Sequence, residues 1–422
     1  MSESLRVWNA DVTAQPAAVR ACADPADVAD AVQKARADGL AISVLGGGHD
    51  WAGRALNDGG VVIDLRGMQR VEVEADVATF GGGTTAATLI DAVEAQGWSA
   101  ATGTVGAVGM VGMTLGGGYG PLCGVAGLSA DNLLGAQVVL ADGTVIDAAD
   151  TTEPDLMWAL RGGGGNFGVV TAMRVRLHPI PKVYSGLVVF PLDQASEVLV
   201  AYGELLARAP DHLTTQAVVL TTPDAIPVLM VMATWSGDAE GGDHWLRLLA
   251  GLGHPVVTNG GTVDYLEPLR RADAMFTPDQ RRYAIRTRNL AALTPGAVRA
   301  LVDAAAQRTS SLSAISLHHF HGAACRVPVD STAFGTRQEH FMAEIIASWL
   351  PEDGDPHRRW ADTTAEALVP HALPGGYPNL LTTDHPEQVA HAYGANATRL
   401  QQVKARFDPD GVFNGTPIPP EP

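Results

Sequence analysis

Gly46-Gly47-Gly48-His49-Asp50 is the stretch of this chain whose residue types and spacing could do chemistry. Residues 41–45 before it are apolar and read as a short buried strand. Glycine lets the backbone take positive φ and lets a ligand approach the main chain closely. A loop of bare amide N–H groups can hold a diphosphate without any cationic side chain. The histidine that follows stands on a loop, where side chains serve function more often than packing. On spacing alone, the stretch reads equally as a glycine-rich turn carrying a surface histidine.

The order of the other motifs decides between these readings. Val61-Val62-Ile63-Asp64-Leu65 follows, then Gly116-Gly117-Gly118-Tyr119-Gly120, Asp131-Asn132, and Gly164-Gly165-Asn166-Phe167-Gly168-Val169-Val170-Thr171. The chain closes on Asp408-Pro409-Asp410-Gly411-Val412-Phe413-Asn414. In this order the motifs resemble those of berberine bridge enzyme-like flavoproteins of the vanillyl-alcohol oxidase superfamily. The resemblance is strong over residues 10–180 and 375–420 and weak between them. It implies FAD as cofactor, attached through the ring nitrogen of His49 to the C8 methyl group. Such a tether prevents cofactor loss and makes the flavin a stronger oxidant. Some relatives carry a second tether, a cysteine in a Cys-x-x-Val-Gly pattern, but the matching position here is Val105, followed by Val108 and Gly109. The attachment is therefore expected to be mono-covalent. Cys123 lies outside that pattern and reads as a buried small hydrophobe.

The resemblance also assigns expected site residues. Those expected at the cofactor are Gly46, Gly47, Gly48, His49 and Asp50; Thr104, Gly106, Gly109 and Gly112; Asn132, Gly168 and Val170; and Tyr393, Phe413 and Asn414. Val108 matches a position beside the approach of oxygen to the flavin. Tyr377-Pro378-Asn379 sits where the family has a Tyr-x-Asn element on a strand lining the cavity, and alternation would put Tyr377 and Asn379 on one face. Tyr377 is the expected base or hydrogen-bonding catalyst; an ordinary phenol, with a pKa near ~10, needs a nearby positive charge or the flavin itself to act as a base at neutral pH. Tyr119 matches a second active-site tyrosine. Arg286 and Arg288 alternate on a stretch that reads as a strand; Arg288 is taken as a group that could stabilise a phenolate or carboxylate, with a solvent-facing role as the alternative. Of His318, His319 and His321, the last is taken as the histidine near the substrate. No set of carboxylates or cysteines accompanies these histidines at metal-site spacing, so no metal is expected.

The elements that must position these groups can be read in order. Asp24-Pro25 opens a helix, with Asp as N-cap and Pro at the first helical position. Residues 61–65 and 71–80 read as strands, and Gly81-Gly82-Gly83 leads into a helix over residues 84–96. Gly81, Gly83 and Ala86 satisfy a G-x-G-x-x-G/A pattern, but residues 104–109 lack the acid that should bind a ribose. Gly163, Gly165 and Gly168 satisfy it again, but a strand-like alternation follows where a helix is required. Residues 133–140 and 144–148 form a hairpin across Ala141-Asp142-Gly143, and residues 153–160 a short helix. Beyond Pro179 and Pro181 the texture changes. Residues 185–190, 215–220, 227–235 and 313–320 read as strands, whereas 196–209, 243–252, 295–308 and 337–350 read as helices. A single long helix is expected over residues 388–407.

Composition bounds the class. The 422 residues suffice for two domains, with 46% hydrophobic and 18% charged residues. A net charge of −18 argues against nucleic acid or anionic membranes as partners. Three widely spaced cysteines make no disulfide framework, and neither a signal-like apolar run nor a bilayer-length segment is evident. A cytoplasmic protein, monomer or homodimer, is expected. The fold expected is α+β, a two-domain PCMH-type FAD-binding fold. Residues 1–181 would bind FAD through two α+β subdomains, and residues 182–370 would form an antiparallel-sheet substrate domain covered by helices. Residues 371–422 would return to the FAD domain. The activity implied is removal of a hydride from a small organic substrate, with O2 reduced to H2O2. Alternatives are an FAD dehydrogenase using another acceptor, or a non-catalytic small-molecule-binding flavoprotein.

Overall fold

In the computed structural model, which describes residues 5–276 and 281–420, Asp24 caps the helix Pro25–Ala37 by accepting from the amides of Ala26 and Asp27. That helix buries Val28, Ala31, Val32 and Ala35. It covers a three-stranded parallel sheet, with Val61–Asp64 between Ala18–Ala21 and Ile42–Leu45. The last strand delivers the chain directly into Gly46. A second, antiparallel sheet orders Val71–Glu74, Val77–Gly81, Val169–His178, Leu133–Val139 and Val145–Ala148, and Ser99–Ala100 adds to Val169–His178. Val169–His178 is thus a strand, and the second glycine fingerprint has no helix behind it.

A third sheet holds seven antiparallel strands in the order Val257–Asp264, Lys182–Pro191, Pro227–Trp235, Leu213–Thr221, Ala314–Phe320, His340–Trp349 and Arg282–Leu290. Its far face packs on the helices Ala195–Leu206, Pro295–Ala306 and Asp355–Leu368, through Val198, Leu199, Tyr202, Val298, Leu301 and Trp360. Its near face turns toward the other two sheets. The architecture matches the expected α+β class.

Two element assignments are corrected. Residues 337–350, expected as a helix, contain the strand His340–Trp349. Nine of its ten residues are buried, because it is an inner strand covered on both faces. A strand of this kind shows no alternation and can be mistaken for a buried helix. The single helix expected over residues 388–407 is two, Pro386–Ala392 and Ala397–Phe407, joined by a 3₁₀ turn at Gly394–Asn396. Gly394 takes φ +51°, which ends the first helix. Among the described residues, no helix is long and apolar enough to cross a membrane.

Two histidines of this third sheet, His319 and His340, and His321 just beyond its strand Ala314–Phe320 are held as neutral groups by burial. His319 stacks on His321, with centroids 4.3 Å apart and planes 4° off parallel, and His340 stacks on Phe320 at 4.6 Å. Burial lowers their pKa values from an ordinary 6.5 to about 4, about 3 and about 4 for His319, His321 and His340. The unfolded chain therefore binds more protons than the folded one as pH falls from 6.5 toward 4. The stability these groups confer is complete above 6.5 and is lost below it. We expect a Tm about 5 °C or more lower at pH 5 than at pH 7.5; equal values in a thermal melt would contradict the neutral stack.

Candidate active site

The loop Gly46–Gly48 runs back to back with the chain at Gly109. A Cβ built on Gly109 would lie 2.5 Å from the Gly47 nitrogen and 2.9 Å from its Cα, and one on Gly47 would strike the Gly109 nitrogen. Neither position has room for a side chain. This crossing joins the first sheet to the glycine segment that precedes the helix Met110–Leu115. Beneath the third sheet it borders a cavity of about 400 Å³.

His49 stands on the cavity wall, its ring nearly parallel to Trp8 at 5.8 Å. Burial lowers its pKa to about 4, against a weaker opposing pull from Asp273, so the imidazole is neutral at pH 7. Next to it, Asp50 accepts from the Arg54 amide at 2.6 Å and from Arg54 Nε at 2.9 Å. Arg54 Nη2 also donates to the Asn379 carbonyl oxygen at 2.8 Å. The Gly46–Asp50 loop is thereby fastened to the Tyr377–Asn379 segment.

Tyr377-Pro378-Asn379 is not on a strand: residues Pro378–Leu380 form a 3₁₀ turn with Tyr377 at its start. The two side chains still meet, because Asn379 Nδ2 donates to the Tyr377 hydroxyl at 2.9 Å. The Gly118 amide donates to the same oxygen at 2.8 Å. Two donors fill its acceptor sites and leave its own hydrogen to donate. Burial pushes the Tyr377 pKa up to about 12, outweighing both donors. Burial thus favours the protonated phenol, the form that can donate a hydrogen bond. Tyr119, buried and also raised, sets its ring edge against Tyr377 at 5.1 Å and against His318 at 5.0 Å.

The near face of the third sheet supplies a polar group that the sequence left hidden. His318 Nε2 lies 3.1 Å from Glu344 Oε2, 3.0 Å from Ser316 Oγ and 3.3 Å from Gln216 Nε2. His318, Glu344 and Gln216 all line the cavity, beside Ile285 and Ile346. In the strand register His318 pairs with Gln216 and Met342, and Ser316 with Glu344, so alternation puts them on one face.

Most other residues expected at the site also line the cavity: Gly46, Gly47, Gly48, Asp50, Thr104, Gly109, Gly112, Gly168, Val170, Phe413 and Asn414. Val105, where a second tether would stand, lines it too, as does Val108. Five residues do not. Arg288 faces the helix Asp355–Leu368, donating to the Ala365 carbonyl oxygen at 3.1 Å. His321 stacks on His319, and of the three neighbouring histidines it is His318 that lines the cavity. Gly106 accepts from the Ala87 amide, and a Cβ there would meet Asp273. The Asn132 amide group is engaged by the Ala126 and Leu128 carbonyl oxygens and by His178. Tyr393 is fully buried, and its hydroxyl donates to the Pro417 carbonyl oxygen at 3.4 Å.

The donor set fits a flavin dinucleotide. Glycine backbone frames one end of the cavity, and Ser43 Oγ and Trp51 Nε1, on lining residues, are buried without a protein partner. Comparison with known proteins agrees. Residues 16–149 match the family model described as FAD binding domain, and residues 376–417 the model described as berberine and berberine like. The FAD-linked oxidoreductase aurO of Gibberella zeae is 31% identical over 422 residues, covering 97% of this chain and 82% of that protein. The chain is a berberine bridge enzyme-like FAD-linked oxidoreductase. Its fold aligns with 6-hydroxy-D-nicotine oxidase of Arthrobacter nicotinovorans at TM-score 0.88 and 28% identity, covering 97% of this chain and 93% of that one. Glucooligosaccharide oxidase of Acremonium strictum aligns at TM-score 0.86 and 26% identity, covering 99% and 94%. That oxidase is described with a 6-S-cysteinyl, 8α-N1-histidyl FAD.

Within this oxidoreductase the crossing of the two loops is the point least able to change. Gly109→Ala forces two backbones apart and should destabilise the protein by about 1–3 kcal/mol, with loss of bound flavin. A Tm and a flavin content equal to the parent's would contradict the observed contact.

Proposed function

We propose that this flavoprotein is a mono-covalent FAD oxidase acting on a small organic substrate (an alcohol, lactol, amine or polyketide-like phenol) in specialised metabolism. Electrons would pass to O2, giving H2O2. The observation that carries the reading is one cavity bordered by the neutral His49 imidazole and by a donor–acceptor set, Tyr377 with Glu344–His318. When bound, FAD supplies the two-electron acceptor for a hydride. The chain's own residues do the rest. A neutral imidazole keeps an unprotonated nitrogen, which attachment to carbon requires. Val105, in place of a cysteine, supports a single link. Tyr377 donates to a substrate oxygen or nitrogen, and the Glu344–His318 pair takes the proton that leaves with the hydride. Residues 1–181 and 371–422 would hold the flavin, with residues 182–370 as the cover.

Two measurements test this. Acid-precipitated protein should stay yellow and fluorescent, and His49→Ala should release the flavin to the supernatant; a colourless parent precipitate removes the tether. Tyr377→Phe should slow anaerobic flavin reduction by about 100-fold while changing the substrate Kd little. An unchanged reduction rate takes Tyr377 out of the chemistry.

A further inference from the structure

Residues 8–11 bridge the His49 loop and the sheet over the cavity. The Trp8 amide donates to the Gly48 carbonyl oxygen at 2.8 Å. Asn9, which is buried, donates through Nδ2 to the carbonyl oxygens of Trp51 at 2.6 Å and Tyr283 at 3.1 Å. Its Oδ1 accepts from the Tyr283 amide at 2.9 Å. The Ala10 amide donates to the Arg281 carbonyl oxygen at 3.0 Å, and Asp11 pairs with Arg358 of the helix Asp355–Leu368. This strap ties the loop that carries His49 to the edge strand Arg282–Leu290.

Three rings meet along the strap. The Trp8 indole lies 5.8 Å from the His49 imidazole with planes 20° apart, and 3.8 Å from the Tyr283 phenol with planes 15° apart. With its amide bonded to Gly48 and Tyr283 at van der Waals distance from its ring, the indole is held against the imidazole. Attachment of a flavin at His49 forms a bond between an imidazole nitrogen and the C8 methyl carbon, and breaks one C–H of that methyl and the imidazole N–H. The two protons and two electrons released reduce O2 to H2O2. Until its N–H leaves, the alkylated imidazole carries a positive charge, in a place where burial holds its pKa down to about 4. An indole face attracts a cation within about 6 Å of its centroid, most strongly where water is excluded.

We propose that Trp8 is a positioning residue for flavin attachment: its indole fixes the plane of the His49 imidazole and stabilises the cation that forms as the bond is made. The proposal rests on the reading of His49 as the tether.

The test compares Trp8→Leu, which fills space without a π face, with Trp8→Phe, which keeps one. Each protein is purified as expressed, supplied with FAD in air-saturated buffer, and sampled over time for acid-stable flavin by intact mass, alongside total bound flavin and Tm. Trp8→Leu should hold FAD as well as Trp8→Phe does but attach it at least about tenfold more slowly. Trp8→Phe should reach the covalent fraction of the parent. Tyr283→Leu, which leaves Trp8 in place but removes its support, should attach flavin at an intermediate rate. Equal attachment in Trp8→Leu and Trp8→Phe overturns the proposal, as does a loss in Trp8→Leu matched by equal losses of total flavin and Tm. If Trp8→Leu yields no folded protein, Tyr283→Leu decides, and attachment there at the Trp8→Phe rate overturns the proposal. A parent whose flavin is wholly released by acid defeats the tether reading and this proposal together, whereas a covalent parent with an equally covalent Trp8→Leu defeats this proposal alone.

Discussion

Two backbones passing within contact distance at Gly47 and Gly109 set the geometry on which the rest of the site depends. Because neither residue has a side chain, the loop that follows the first parallel sheet can lie directly on the segment that opens the helix Met110–Leu115. His49 and Asp50 are then fixed relative to that helix, and Arg54 carries the constraint on to Asn379. Asn379 Nδ2 in turn reaches the Met113 carbonyl oxygen and the Tyr377 hydroxyl. Asp50, Arg54, Asn379 and the Tyr377 phenol form one hydrogen-bonded chain beside the glycine crossing, with the third sheet laid over it.

The electrostatic design follows from a chain that carries a net charge of −18. The cations near the cavity are engaged by acids or carbonyls: Arg54, on its wall, pairs with Asp50 of its own loop, and Arg286 and Arg288 reach Asp362 and the Ala365 carbonyl oxygen of a helix on the far side of the sheet. Binding of a dinucleotide would then fall to main-chain dipoles of the glycine loop. Tyr377 stays protonated and His49 stays neutral, so one can donate and the other can bond.

What could be read in the sequence was what local signals specify. The Asp24-Pro25 helix start, the glycine loop with His49 and the hairpin at Ala141-Asp142-Gly143 all rest on neighbours a few residues apart, and each stands as expected. What escaped depends on partners far along the chain. His340–Trp349 lost its alternation because both its faces are covered, and Glu344 was hidden with it. Alternation separated His318 from His319 and His321, and Arg288 from its neighbours. Which side meets the cavity is decided by the packing of helix Asp355–Leu368, and no residue spacing encodes that. Gly394 interrupts an amphipathic run whose period continues across it, so the break left no trace in the pattern.

The central claim is that the glycine crossing holds a flavin against His49, and intact-mass measurement of the denatured protein addresses it most directly. A mass above that of the polypeptide by one FAD, with the addition traced to the peptide containing residue 49, is the result this account predicts. A polypeptide of unmodified mass, or a flavin traced to any other residue, would contradict it.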